Sequence, residues 1–194
     1  MQIRPFILTD TDAVIALWHE CGLTRPWNDP LKDIERKLTV QPELFLVGIE
    51  GDLAAGGDGS RTSDGGSSSG SGSSASRAGI SGSNGRLGGS GTGSGSTGSG
   101  IGTVGGSDTI VGTAMVGFDG HRGWINYLAV SPAWQRRGYA RQLMTEAEAL
   151  LTARGCPKLN LQVRSGNSAA EAFYRALGYV DDHTVSFGKR LIPD

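Results

Sequence analysis

Residues 128–140 carry the most legible chemistry in this chain. An apolar run, Leu128-Ala129-Val130, ends in Ser131-Pro132, and Gln135-Arg136-Arg137-Gly138-Tyr139-Ala140 then opens a long stretch of helical periodicity. A strand, a turn and a helix in that order make an anion site. The first amides of a helix lack intrahelical partners and carry partial positive charge. A loop running into them can aim several N–H groups at one ligand. Gly138 removes the Cβ that would hold the backbone away from a phosphate. Ala140 keeps the helix start uncrowded, and Arg136 and Arg137 add charge suited to a diphosphate.

Other elements must position this loop. Residues 3–8 read as a first strand, with Pro5 pointing to an edge. Thr9 or Asp10 offers an N-cap to a helix whose stripe is Val14, Leu17, Trp18 and Cys21, stopped by Gly22. Asp29 as cap and Pro30 at the first helical position start a second helix, with Leu31, Ile34 and Leu38 as its apolar stripe. Residues 44–50 form a dense apolar strand. Residues 109–118 and 124–130 read as a hairpin turning at 119–123. Residues 140–154 form a helix with Leu143, Met144, Ala147, Leu150 and Leu151 on one face, ended by Gly155. Residues 158–163 alternate as a strand. Ser168 and Glu171 suggest a capping box for a fourth helix, whose inner face is Phe173 and Leu177. Residues 185–192 read as a closing strand. The order β-α-α-β-β-β-α-β-α-β predicts an α/β fold, in detail an α+β mixed sheet with helices on its faces.

Composition isolates one segment. Glycine accounts for 32 of 194 residues, and most of the excess falls in residues 54–108, which are largely Gly and Ser. That tract has too few large apolar residues to offset its ordering entropy, so it reads as a flexible insertion in a hairpin loop of a single domain spanning 1–194. Lengthening such a loop from ~4 to ~55 residues costs about 2 kcal/mol of closure entropy, which a domain tolerates. Its Gly93-Ser94-Gly95-Ser96-Thr97-Gly98 matches a dinucleotide-binding pattern but has neither a strand before it nor a helix after it. The remaining residues, roughly 140, suffice for one core.

The formal net charge is −1, and there is no basic stripe of the kind nucleic acid requires. No apolar run reaches membrane-spanning length, and no leader pattern opens the chain. Cys21 and Cys156 match no metal spacing. A cytoplasmic protein without metal, nucleic-acid or membrane partners is the expectation.

Gln-x-x-Gly-x-Ala after Leu-Ala-Val-Ser-Pro resembles the coenzyme-A signature of the GNAT superfamily of N-acetyltransferases. Residues 167–179, ending Phe-Tyr-Arg-Ala-Leu-Gly-Tyr, resemble that family's second conserved block at the expected distance. The resemblance covers nearly all of the chain outside the Gly/Ser tract. It implies a GNAT-type acyl-CoA N-acyltransferase fold and transfer of an acetyl group from acetyl-CoA to a primary amine of a small molecule or peptide. It implies that Leu128, Ala129 and Val130 pair through their backbone with the pantetheine arm. Gln135, Arg136, Arg137, Gly138, Tyr139 and Ala140 then hold the diphosphate, and Asn167 lies near the cofactor. Tyr174 occupies the position of the acid that protonates the leaving thiolate.

Arg25, Trp27 and Asn28 border the acceptor pocket by the same resemblance, and His121 and Arg122 are candidates for the same side. A homodimer is the default for such domains. One departure stands out. The protein-N-terminal branch reads Leu-Glu-Val-Arg before the second block, with the glutamate as base; here the stretch is Leu161-Gln162-Val163-Arg164. Glutamine takes no proton, which leaves a water relay, another residue (Asp119, His121 or Glu20), or an amine that arrives neutral. A coenzyme-A-binding module without catalysis, a protein N-terminal or lysine acetyltransferase, a nucleotide-phosphate binder and a scaffold built around the Gly/Ser tract stay open at this level.

Overall fold

The computed structural model describes residues 1–51 and 108–192. The tract expected over 54–108 lies outside the described residues, apart from Asp108. In chain order the elements are β1 (Gln2–Pro5), α1 (Thr11–Glu20), α2 (Pro30–Leu38), β2 (Phe45–Gly51), β3 (Asp108–Phe118), β4 (Gly123–Val130), α3 (Tyr139–Ala153), β5 (Leu159–Leu161) and α4 (Ser168–Ala176). Short 3-10 turns occur at Leu8–Asp10, Pro42–Leu44 and Pro132–Trp134. The strands form one sheet in the order β1-β2-β3-β4-β5. All pairs are antiparallel except β4–β5, which is parallel. This is the mixed sheet that the sequence predicts, with Pro5 on an edge strand.

Helices cover both faces, and β2 shows why its apolar run is continuous rather than alternating. Phe45, Val47 and Ile49 pack with Val14, Trp18 and Ile34 of α1 and α2. Leu46 turns to the other face, with Leu143, Met144 and Ala147 of α3. Gly51 at the end of β2 lies opposite Asp108 at the start of β3, so residues 52–107 join two neighbouring, paired strands.

Several local expectations are corrected. Asp10 stands at the start of α1, but its side chain does not cap that helix. It is fully buried, pairs with Arg4 through two bonds of 2.7 and 2.9 Å, and accepts from the Ile7 N–H at 2.9 Å. A buried carboxylate needs a charged partner more than a helix needs one cap. Leu31 is 43% exposed while Ile34 is buried, so the stripe of α2 is narrower than its spacing suggests. The cap of α4 is Asn167 rather than Ser168, accepting from the Ala170 N–H at 3.1 Å. Glu171 instead faces Arg175 along the helix.

The closing strand expected at 185–192 does not form. Those residues have no ladder, and Val185, Phe187 and Leu191 are 82, 93 and 85% exposed. Alternation suits a strand, but a strand also needs an edge to join. Here β5 is three residues long, shorter than the expected 158–163. The tail is tied to that side by Lys158 to Asp182 (2.5 Å) and by Gln162 Nε2, which donates to Ser186 Oγ at 2.6 Å.

The β3–β4 turn closes on Asp119. One carboxylate oxygen accepts from the N–H groups of His121 (2.7 Å) and Arg122 (2.6 Å), the other from Trp124 Nε1 at 3.1 Å. These bonds, led by the Arg122 amide, pull the carboxyl down to about 2. A group whose pKa is lower when folded stabilises the fold above its ordinary range and loses that contribution as pH falls through the folded value. Asp119→Ala is therefore expected to lower the urea midpoint at pH 7, with the gap to the parent protein closing as pH falls from about 4 to about 2. A gap independent of pH would mean that the carboxylate does not hold the turn through its charge.

Candidate active site

The site begins with a defect in the sheet. Thr113 pairs with Ala129, but Met115 pairs with Asn126, so Tyr127 and Leu128 together face Ala114. Tyr127 has φ +50, unusual for a bulky residue and the mark of a bulge. The extra residue reverses the side-chain alternation: Ile125 packs on the α3 face, Tyr127 on the α1 face and Leu128 on the α3 face again. Buried contacts fix this geometry. The Thr113 hydroxyl donates to the Tyr127 carbonyl at 2.9 Å and accepts from Trp18 Nε1 at 2.9 Å. The Trp18 ring stacks on Tyr127 at 3.9 Å.

Beyond the bulge the sheet opens. β4 pairs with β5 only from Gly123 to Ile125. From Asn126 to Val130 its outer edge has no strand partner among the described residues. The cleft there has a volume of about 380 Å³. One wall is Leu128, Ala129 and Val130. A second is Gln135, Arg136, Gly138, Tyr139, Ala140 and Arg141, and a third is Ala169, Ala172 and Phe173 of α4.

The turn leading into α3 is rigidly built. Gln135 Nε2 donates to the Val130 carbonyl at 3.0 Å, tying the loop back to the strand it leaves. Arg136 and Gly138 have φ +67 and +82. Gly138 is the N-cap of α3 and supplies no side-chain cap. A Cβ built there would meet nothing within 4 Å, so the backbone angle rather than crowding calls for glycine. The helix thus begins with uncapped amides beside Arg136 and Arg141, which suits an anion.

Eight of the ten residues expected to hold the cofactor line this cleft: Leu128, Ala129, Val130, Gln135, Arg136, Gly138, Tyr139 and Ala140. Arg137 and Asn167 do not. The Arg137 guanidinium lies over the Trp134 ring, 4.5 Å from its centre. Asn167 uses its carbonyl oxygen to cap α4, whose next turn supplies Ala169. Arg141, Ala169 and Ala172 were not singled out by sequence, and the sequence reads Phe173 as a packing residue of the fourth helix rather than as part of the cofactor site. Arg141 continues the Arg136-Arg137 run, and the two alanines with Phe173 recur at helical spacing, so a weak signal was present for each.

Tyr174 lines neither this cleft nor the next. It follows Phe173, whose ring lies 5.1 Å away edge-on, and a similar contact of 5.8 Å joins it to Tyr179. Burial pushes its phenol up to about 12. Among the described residues its hydroxyl makes no hydrogen bond, whereas that of Tyr179 donates to Glu148 at 2.7 Å.

A second cleft, of about 330 Å³, lies on the α1–α2 side of β4, lined by Leu23, Arg25, Trp27, Asn28, Asp33, Asn126, Tyr127 and Arg164. It gathers the three residues of the 24–30 loop that sequence singled out, and adds Asp33, Tyr127 and Arg164. The Tyr127 hydroxyl donates to Asp33 at 2.6 Å. Asn28 donates to Tyr127 at 3.0 Å and to the same Asp33 oxygen. Asp33 and Tyr127 meet across the tertiary fold, which no local pattern announces. His121 and Arg122 lie in the β3–β4 turn, at the other end of β4, and line neither cleft; nor do Asp119 and Glu20. Gln162 is exposed and bonded to the tail.

An open β4 edge leading to an uncapped helix start is the architecture that the first motif requires, and residues 97–179 match the family described as Acetyltransferase (GNAT) family. The chain belongs to this family and is an acetyltransferase. It is 38% identical over 194 residues to an acetyltransferase of Yersinia enterocolitica, covering 100% of this chain and 98% of that one. Among solved structures it resembles AAC(6')-Iy in complex with a bisubstrate analogue, CoA-S-monomethyl-acetylneamine, with a TM-score of 0.58, 15% identity and 98% of each chain covered. It also resembles the NatC complex bound to Gag peptide and CoA, with a TM-score of 0.56, 15% identity, and 93% of this chain and 86% of that one covered. Both likenesses concern the fold. No group of His, Cys, Asp and Glu suited to a metal ion occurs among the described residues, and no helix there is long and apolar enough to cross a membrane.

Proposed function

We propose that this acetyltransferase uses acetyl-CoA and transfers its acetyl group directly to a primary amine of a small molecule or peptide. The observation that carries the reading is the cleft between the open β4 edge and the uncapped start of α3. In this reading the backbone of Leu128, Ala129 and Val130 holds the pantetheine arm. The α3 amides hold the diphosphate, aided by Arg136, and Arg141 joins them. The amine nitrogen bonds to the acetyl carbon as the carbon–sulfur bond breaks. Tyr174 supplies a proton to the leaving sulfur. For the proton that the amine gives up, the second cleft offers the Asp33 carboxylate through the Tyr127 hydroxyl. Residues 54–108 enter as an insertion in a single domain, a reading supported by the pairing of Gly51 with Asp108.

The direct test is a calorimetric titration with acetyl-CoA beside ATP and NAD. One-to-one binding of acetyl-CoA alone is expected; folded protein that gives no heat with it overturns the reading. Gly138→Asp sharpens the test. A carboxylate at that N-cap can satisfy the α3 amides itself. It also repels a second anion. Acetyl-CoA affinity is expected to fall about 100-fold, the size of one or two charge-assisted hydrogen bonds at ~1.5–3 kcal/mol each, with stability to urea lowered by the roughly 1–2 kcal/mol that a side chain costs at this positive φ; Gly138→Ala, which carries the same strain without the charge, separates the two effects. Affinity within threefold of the parent protein would move the diphosphate away from α3.

A further inference from the structure

The second cleft has an uneven charge balance. Asp33 is its carboxylate, and that charge is already engaged: Arg36 Nη1 holds one oxygen at 3.0 Å, and Tyr127 and Asn28 hold the other. Arg25 and Arg164 also line the cleft. Among the described residues, the hydrogen bonds of the Arg25 guanidinium go to backbone carbonyls, of Gly22 at 2.9 Å and Thr24 at 2.8 Å. The Arg164 side chain is exposed and has no ion pair or hydrogen bond among the described residues. Among the described residues, two cations therefore face this space without a carboxylate to balance them, beside the 63%-exposed indole of Trp27. A guanidinium presents a rigid fork that matches carboxylate or phosphate. A polycationic amine would meet like charge here, at a cost in affinity.

Building on the acetyl-CoA reading above, we propose that the acceptor is an amine that also carries an anionic group, held by Arg164 and Arg25 while Trp27 covers its apolar part. Carboxylate and phosphate share the required chemistry. In this arrangement the anion fixes the acceptor on the loop side of β4, and the amine end is left to reach toward the open strand edge.

The test measures thiol release with full-length protein and matched amine pairs. Amino acids are compared with their decarboxylated amines, phosphoethanolamine with ethanolamine, and kanamycin serves as a polycation. A preference of at least tenfold in kcat/KM for the anionic member of a pair is expected, and the better pair tells carboxylate from phosphate. Arg164→Gln is expected to abolish most of that preference by raising the KM for the acceptor, with acetyl-CoA affinity kept. Arg164 makes no side-chain bond that folding would miss, and Arg25→Lys gives an independent second variant that keeps the charge but loses the fork. Equal or better turnover of uncharged amines or kanamycin, no turnover of any anionic amine, or a preference untouched by Arg164→Gln would overturn the proposal. Calorimetric titration of the same samples with acetyl-CoA separates the two levels. Binding without anionic preference sinks only the acceptor assignment, and absence of binding sinks the transferase reading with it.

Discussion

Trp18→Ala is expected to destabilise the fold by about 3–5 kcal/mol, the usual range for removing a buried aromatic side chain. Against a total stability of roughly 5–15 kcal/mol for a domain, that change leaves little margin. Trp18 is fully buried and stacks on Phe45 at 6.0 Å and Tyr127 at 3.9 Å. Its loss would leave a cavity between α1 and the sheet and would take the donor away from Thr113 Oγ1. The effect should reach the active site. Thr113 and the Trp18 ring together hold Tyr127 at the bulge, and the bulge sets the direction of the β4 edge beyond it. The check is a urea titration paired with an acetyl-CoA titration under conditions where the variant is folded. Trp18→Phe keeps much of the packing and removes the N–H, so it should cost only about 1 kcal/mol beyond lost area. Trp18→Ala with an unchanged urea midpoint would mean that α1 is not seated on the sheet through this ring.

Tyr174→Phe is expected to lower kcat by about 10²–10⁴-fold, the range for loss of a positioned general acid, with acetyl-CoA affinity within twofold of the parent protein. Partial burial pushes the phenol up to about 12, from an ordinary value that already leaves it protonated at neutral pH. Its hydroxyl has no hydrogen-bond partner among the described residues, and the side chain is only partly buried. That leaves a donor available for an acceptor that arrives with the substrate. It also means that phenylalanine sacrifices no protein hydrogen bond, so stability should hardly change and the kinetic loss can be read as chemistry. Steady-state thiol release gives the answer. Retention of kcat within threefold would remove Tyr174 from the reaction and restrict it to packing against Phe173 and Tyr179.

Much of the architecture was legible because local signals and tertiary demands agreed. Asp29 and Pro30 start α2 as their types suggest, with the Asp29 side chain accepting from the Leu31 N–H at 2.9 Å. The strand-turn-helix around Gly138 forms as read because its requirements are local: an uncapped helix start and a residue at positive φ. Where local and tertiary demands compete, the local reading loses. Asp10 would cap a helix in isolation, but once buried beside Arg4 it pairs with the guanidinium. Asn167 takes the cap that Ser168 and Glu171 suggested. Residues 185–192 have the alternation of a strand without the ladder.

By itself the sequence determined the order of the elements from β1 to α4, most of the apolar faces that bury them, and the strand-turn-helix around Gly138 with its uncapped helix start. All of these follow from periodicity, capping chemistry and backbone freedom within a few residues. The tertiary structure alone decided that Tyr127 bulges from β4, because a register shift depends on how two distant strands pair and on the Trp18–Thr113 contacts that hold it. It also decided that Arg25 and Arg164, far apart in the chain, face one cleft with Asp33 already engaged. Electrostatic balance is a property of groups gathered in space, and charge counts along a chain do not reveal which charges meet.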